Sequence, residues 1–243
     1  MTGPVVDTVT AEEFMREALA QVSEHDLVEI ATACERKAEG FGTLLGDGRA
    51  AVAGRDDLGR VLRSVFAARR KADAILDALG PELLAAEIDH LLHGDDPLPG
   101  RIDRMDRTLQ AFPEAAFDLP AELLHFTYPD DHWPWTRWMW DPNIETGSLR
   151  LVTMEEFDLT GATRGETYLR VGQAIAFVQE TGRAAGFTDY GPGPFGIDVF
   201  LGCVYGVYMY TVLRMRMTQE FNKIVPELPD LVRRLLGVKR PEV

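Results

Sequence analysis

The order of apolar and polar positions predicts helix along most of the chain. The clearest stripe is Leu58, Val61, Leu62, Val65, Ala68, Ala72, Ile75, Leu76 and Leu79, stepping by three and four with charged residues opposite. That period belongs to an amphipathic helix and predicts a single one of about six turns. Gly80-Pro81 ends it, and the proline opens the next helix, Glu82 to His93, because the first helical position needs no amide hydrogen. Earlier, Thr10 and Glu13 have capping-box spacing before a helix from Ala11 to about Ser23, and Asp26 with Glu29 repeats it before a helix reaching Gly40. Ile102, Met105, Leu109 and Phe112 mark a short helix, and Tyr168, Val171, Ile175 and Val178 stripe another that ends at Gly182. A last helix starts at Pro229, with Gly237 just past its end. Only Leu149-Arg-Leu-Val152 alternates as a strand would. Glycine-rich 42–54 reads as a connector, residues 1–9 as a flexible tail, and Pro113 to Pro120 as a turn-rich joint. The expected fold is mainly α, a multi-helix globular bundle. Residues 10–112 form its N-terminal part, and residues 113–243 pack on them as one compact unit.

Two stretches depart from amphipathic patterning. Phe195 to Leu213 carries a single charge, Asp198, and is long enough to span a bilayer. Gly202 and Gly206 add the small-residue spacing of membrane helix pairs. Its rings, however, are spread through the middle rather than belted at the ends, so a buried central helix at about 195–221 is expected, with no membrane span. The second stretch, Glu122 to Asp141, holds all four tryptophans of the chain. Pro129 and Pro134 interrupt it, predicting a helix to about Thr127, a turn at Tyr128–Asp131, and a short helical piece bearing Trp135, Trp138 and Met139.

Composition narrows the function classes. A chain of 243 residues with 46% hydrophobic content can bury a sizeable core. A net charge of −14 disfavours nucleic acid as a partner, since phosphates are neutralised by basic surfaces. Two cysteines, Cys34 and Cys203, build no disulfide framework, and no signal-peptide pattern opens the sequence, so a cytoplasmic location is expected.

The run Leu124-His-Phe-Thr-Tyr-Pro-Asp-Asp-His-Trp-Pro134, with weaker echoes at Tyr168-Leu-Arg-Val and Ile197-Asp-Val-Phe-Leu201, resembles uncharacterised helical proteins of actinobacterial type. Those proteins are distantly related to helix-hairpin-helix DNA glycosylases. The resemblance implies a helical fold and, as a third functional reading, a nucleic-acid enzyme. In glycosylases of that group a glycine-rich hairpin lies some way before a catalytic aspartate. Here Gly191-Pro-Gly193 stands only a few residues before Asp198, a departure that leaves the activity behind and carries only the fold.

Three sets of residues carry candidate chemistry. Glu87-x-x-His90 and Glu122-x-x-His125 each place a carboxylate and an imidazole on one helical face, the spacing used by di-iron carboxylate bundles, so iron is a candidate cofactor. A ligand pocket is expected around His125, Tyr128, Asp131, His132, Trp135 and Trp138, with Tyr205 and the candidate catalytic acid Asp198 from the apolar helix. Concentrated Trp, Tyr and Met also mark protein interfaces. The leading expectation is therefore an accessory or interaction protein that binds a partner protein or a second copy through a Trp- and Tyr-rich surface. A small-molecule or metal enzyme on the aromatic pocket is the alternative.

Overall fold

The computed structural model describes residues 5–191, 193–216 and 226–238, with side chains of the apolar helix described as far as Val212. In chain order its α-helices are α1 (Thr8–Leu19), α2 (Glu24–Leu45), α3 (Arg55–Ser64), α4 (Ala72–Leu79), α5 (Pro81–His93), α6 (Leu98–Thr108), α7 (Pro113–Thr127), α8 (Ser148–Val152), α9 (Arg164–Ala185), α10 (Gly196–Arg216) and α11 (Leu228–Leu235). Two 3-10 turns and two isolated β-bridges, Val6 with Thr153 and Asp141 with Thr146, complete the regular structure. Among the described residues no strand forms. The fold is mainly α, as the hydrophobic period predicts.

The chain divides into two compact units interleaved in sequence. The first takes Met1–Glu35, Trp138–Asp158 and Ala174–Val243; the second takes Arg36–Arg137 and Leu159–Gln173. Both divisions of long helices fall inside α2 and α9.

In the first unit α10 packs against α1, α8 and α11. Ile197, Val199, Phe200, Leu201 and Val204 are fully buried. The stretch Gly193–Val212 passes the length and apolarity test for a membrane span, yet 67% of it lies buried within the protein, so it is a core helix. The glycine pair serves that core. A Cβ on Gly202 would approach Val232 Cγ1 to 2.9 Å and one on Gly206 would approach Leu228 Cδ1 to 2.3 Å, so the bare glycines seat α11. Residues 217–221 of the expected helix lie outside the described residues. α11 closes with a left-handed Gly237, φ 65°, while Val238 N–H donates to Arg233 O at 2.9 Å and Gly237 N–H to Arg234 O at 3.3 Å. Those two bonds satisfy carbonyls the helix end would otherwise strand. Arg233 is itself buried and donates to Glu29 Oε2 at 3.2 Å.

In the second unit α5 packs on α4, α6 and α7. Arg101 Nη1 reaches the carbonyls of Leu91 and Leu92 at 2.8 and 3.0 Å and so caps the end of α5. Every residue of α7 from Ala115 to Thr127 is buried.

Several local expectations are corrected. The described part of the tail is held in place: Val6 is buried, and Asp7, not Thr10, caps α1 by accepting from Thr10 N at 3.1 Å. Ser23, not Asp26, opens α2, accepting from Asp26 N at 3.1 Å while its hydroxyl donates to Asp26 Oδ2 at 2.6 Å. α2 then runs through Gly40 and Gly42 to Leu45, because Phe41 and Leu45 bury enough to offset the weak helix propensity of glycine. The long stripe 58–79 breaks into α3 and α4. Bonds from Ala68 N to Val65 O and from Lys71 N to Ala68 O keep a spacing of three through the intervening turns, so the apolar period continues without an α-helix. Pro113–Pro120 is helix rather than joint; Pro120 sits inside α7, where burial on all sides offsets the missing amide. Leu149–Val152 is the turn of helix α8, not a strand. Trp135, Trp138 and Met139 lie on loop and turn rather than on a helical piece.

Candidate functional site

The tryptophan stretch turns inward. Trp135 is 1% exposed and packs edge-on against Phe117, with ring centroids 4.8 Å apart. Trp133 is half-buried; its carbonyl accepts from the Tyr168 hydroxyl at 3.1 Å, and its ring lies 2.9 Å from where a Cβ on Gly172 would stand. These contacts belong to the second unit. In the first, Trp138 lies against Tyr205 at 6.0 Å, and the Arg150 guanidinium covers Trp140 at 5.3 Å. A Trp-rich surface is therefore not what the stretch forms. Large rings pay more when buried than when exposed, and here the packing takes them.

The polar members are placed as follows. His125 is fully buried, and its Nδ1–H donates to the His132 carbonyl at 2.8 Å, which places a proton on Nδ1. His132 is half-buried, and burial holds its pKa below the usual histidine value despite neighbouring Asp131. Asp131 is exposed. Tyr128 ends α7, and its hydroxyl meets His93 Nε2 at 2.7 Å. Asp198 is fully buried in the first turn of α10, where the helix dipole favours a carboxylate.

The Glu-x-x-His pairs are otherwise engaged. Glu87 receives Arg104 Nε and Nη2 at 2.9 and 2.7 Å, and those bonds hold its carboxyl below the ordinary glutamate range. Glu122 takes Lys37 Nζ at 2.7 Å, and His90 Nε2 faces Asp96 at 3.2 Å. Among the described residues no group of three or more His, Cys, Asp or Glu side chains stands where it could hold a metal ion. With a cation on each glutamate, this donor set does not fit an iron pair.

The helix carries a residue the pattern did not single out. Asp118 is 4% exposed and accepts from Arg137 N at 3.1 Å, with Arg137 Nε at 3.6 Å. Burial pushes its carboxyl up to about 7 against the pull of Arg137, and Glu122 adds to the rise. Asp118, Glu122 and His125 fall at i, i+4 and i+7, one helical face, which would have been visible had the helix been started at Pro113.

On α10 the buried half gives way to a half-exposed ridge. Tyr205, Tyr208, Met209 and Val212 follow i, i+3, i+4 and i+7, and each is half-buried. From Val199 to Val212 the helix bears no Asp, Glu, Lys, Arg or His. Tyr210 leaves the ridge, its hydroxyl donating to the Pro226 carbonyl. No protein-family model matches this chain, and no curated protein and no solved structure matches it.

Proposed function

We propose that the chain is an accessory or interaction protein that assembles with a second copy of itself through the Tyr205–Val212 ridge of α10. The observation that carries this reading is the ridge itself: four apolar or aromatic side chains at helical spacing, half-exposed, on a segment without charge. A chain of net charge −14 repels its own copies over most of its surface. An uncharged ridge is where two copies meet without juxtaposing like charges, and twofold pairing places each side chain against the same patch. Tyr and Met are also the residues enriched at interface cores. Tyr208→Glu inserts a charge into the ridge, and size-exclusion with light scattering then reads whether the dimer is lost.

A second reading, a small-molecule enzyme in the second unit, is favoured by the buried face of Asp118, Glu122 and His125. Acids and imidazoles held away from water with perturbed protonation recur at catalytic sites. Its test is a ligand or substrate response that Asp118→Asn removes while the fold survives; a response unchanged in that variant contradicts it.

A further inference from the structure

The second unit contains a line of polar groups that the ridge does not involve. Asp89 and His93 lie one turn apart on α5, and His93 Nδ1 stands 3.0 Å from Asp89 Oδ1. His93 Nε2 stands 2.7 Å from the Tyr128 hydroxyl at the end of α7, with the two rings edge to face. A third group completes the line: Asp47 N–H donates to the same hydroxyl oxygen at 3.1 Å. Asp47 has a left-handed backbone, φ 53°, which is uncommon for a residue with a side chain and turns its amide toward the phenol. Arg49 fixes that turn, donating to Asp47 Oδ2 and to the Gly46 carbonyl, both at 3.1 Å.

The direction of each bond follows from donor chemistry. The Asp47 amide can only donate, and a carboxylate accepts. His93 therefore carries its proton on Nδ1 toward Asp89, and Nε2 accepts the proton of Tyr128. This is the order of nucleophile, base and orienting acid used in acyl-transfer triads, and here the Asp47 N–H additionally donates to the oxygen of the nucleophile. Tyr128 is half-buried, and the His93 and Asp89 side chains are 28% and 32% exposed, so the line of groups stands at the surface.

We propose that Tyr128, His93 and Asp89 form an acyl-transfer site for activated carboxylic esters, Tyr128 acting as nucleophile, His93 as base and Asp89 as the positioning residue. Tyr128 Oη forms a bond to the acyl carbon while its proton passes to His93 Nε2. The bond from acyl carbon to leaving oxygen breaks, and the leaving phenoxide takes that proton from His93 as the free phenol. Water, deprotonated by His93, then cleaves the tyrosyl ester to release the acid and restore the phenol. A phenolate displaces leaving groups no more basic than itself, which selects aryl and similarly activated esters. Asp89 stands on His93, and Asp47, whose amide meets the Tyr128 hydroxyl, is paired with Arg49, so the proposed substrates are neutral acyl esters rather than phosphate esters, which the Asp89 carboxylate disfavours.

The test uses the full chain with 4-nitrophenyl acetate. Turnover above buffer is expected, with an acetyl group recovered on the peptide containing Tyr128. Tyr128→Phe, which removes only the hydroxyl, is expected to abolish the adduct and slow turnover about 100-fold. His93→Gln is expected to slow acylation comparably, and it serves as the second reading should Tyr128→Phe fail to fold by circular dichroism. Asp89→Asn is expected to lower kcat with KM little changed, and Asp89→Glu to restore it, which a purely structural aspartate would not do. Wild-type turnover no faster than that of Tyr128→Phe or His93→Gln, or an adduct on another residue, overturns the proposal.

Discussion

Asp118 illustrates how one buried carboxyl ties stability to pH. Burial raises its pKa to about 7 in the folded protein, while the unfolded chain releases the same proton near the ordinary aspartate value of about 3.9. Between those values the folded state binds more protons, so stability is greatest at the acid end and falls as pH rises toward 7. The expected loss is on the order of 4 kcal/mol across that window, at about 1.36 kcal/mol per pKa unit, with the pull of Arg137 at 3.6 Å already contained in the raised value. Asp118→Asn is expected to flatten this slope and to match or exceed the wild type at pH 8. Urea unfolding at about pH 5 and 8 measures both; parallel pH dependence in the two proteins would contradict the assignment.

Helices α10 and α11 show where local chemistry alone sets an element. Gly237 takes φ 65° at the end of α11 and donates to Arg234 O, a conformation that a Cβ penalises. Gly237→Ala is expected to lower stability by about 1 kcal/mol, read as a lower denaturation midpoint with an unchanged urea slope. This terminus, the proline start of α5 and the core burial of α10 were legible in the sequence, because each depends on residues adjacent in the chain. The break between α3 and α4 was not, since successive turns with a spacing of three mimic a helical stripe. The start of α7 was hidden for the opposite reason: Pro120 argues against a helix interior locally, and only all-round burial overrides it. The candidate site suffered most. Trp135 and Trp138 have the same ring chemistry at an interface as in a core, so their inward packing could not be told from the sequence. Asp89 and His93 have visible helical spacing, whereas their meeting with Tyr128, 35 residues beyond His93, belongs to the fold.

At the scale of the whole molecule, charge and apolar exposure act against each other. A net charge of −14 keeps copies apart, and the proposed contact is the ridge of α10 because that segment carries no charge. The proposed association through that ridge would depend on apolar contact, and is expected to persist or strengthen as salt screens the remaining repulsion. The most direct measurement is sedimentation equilibrium of the full chain over a dilution series, at low and moderate salt, beside Tyr208→Glu. Wild-type protein is expected to sediment as a dimer that dissociates on dilution and tightens with salt, and the variant as a monomer of unchanged helical content. A strictly monomeric wild type at every concentration, or a dimer that Tyr208→Glu leaves intact, would contradict it.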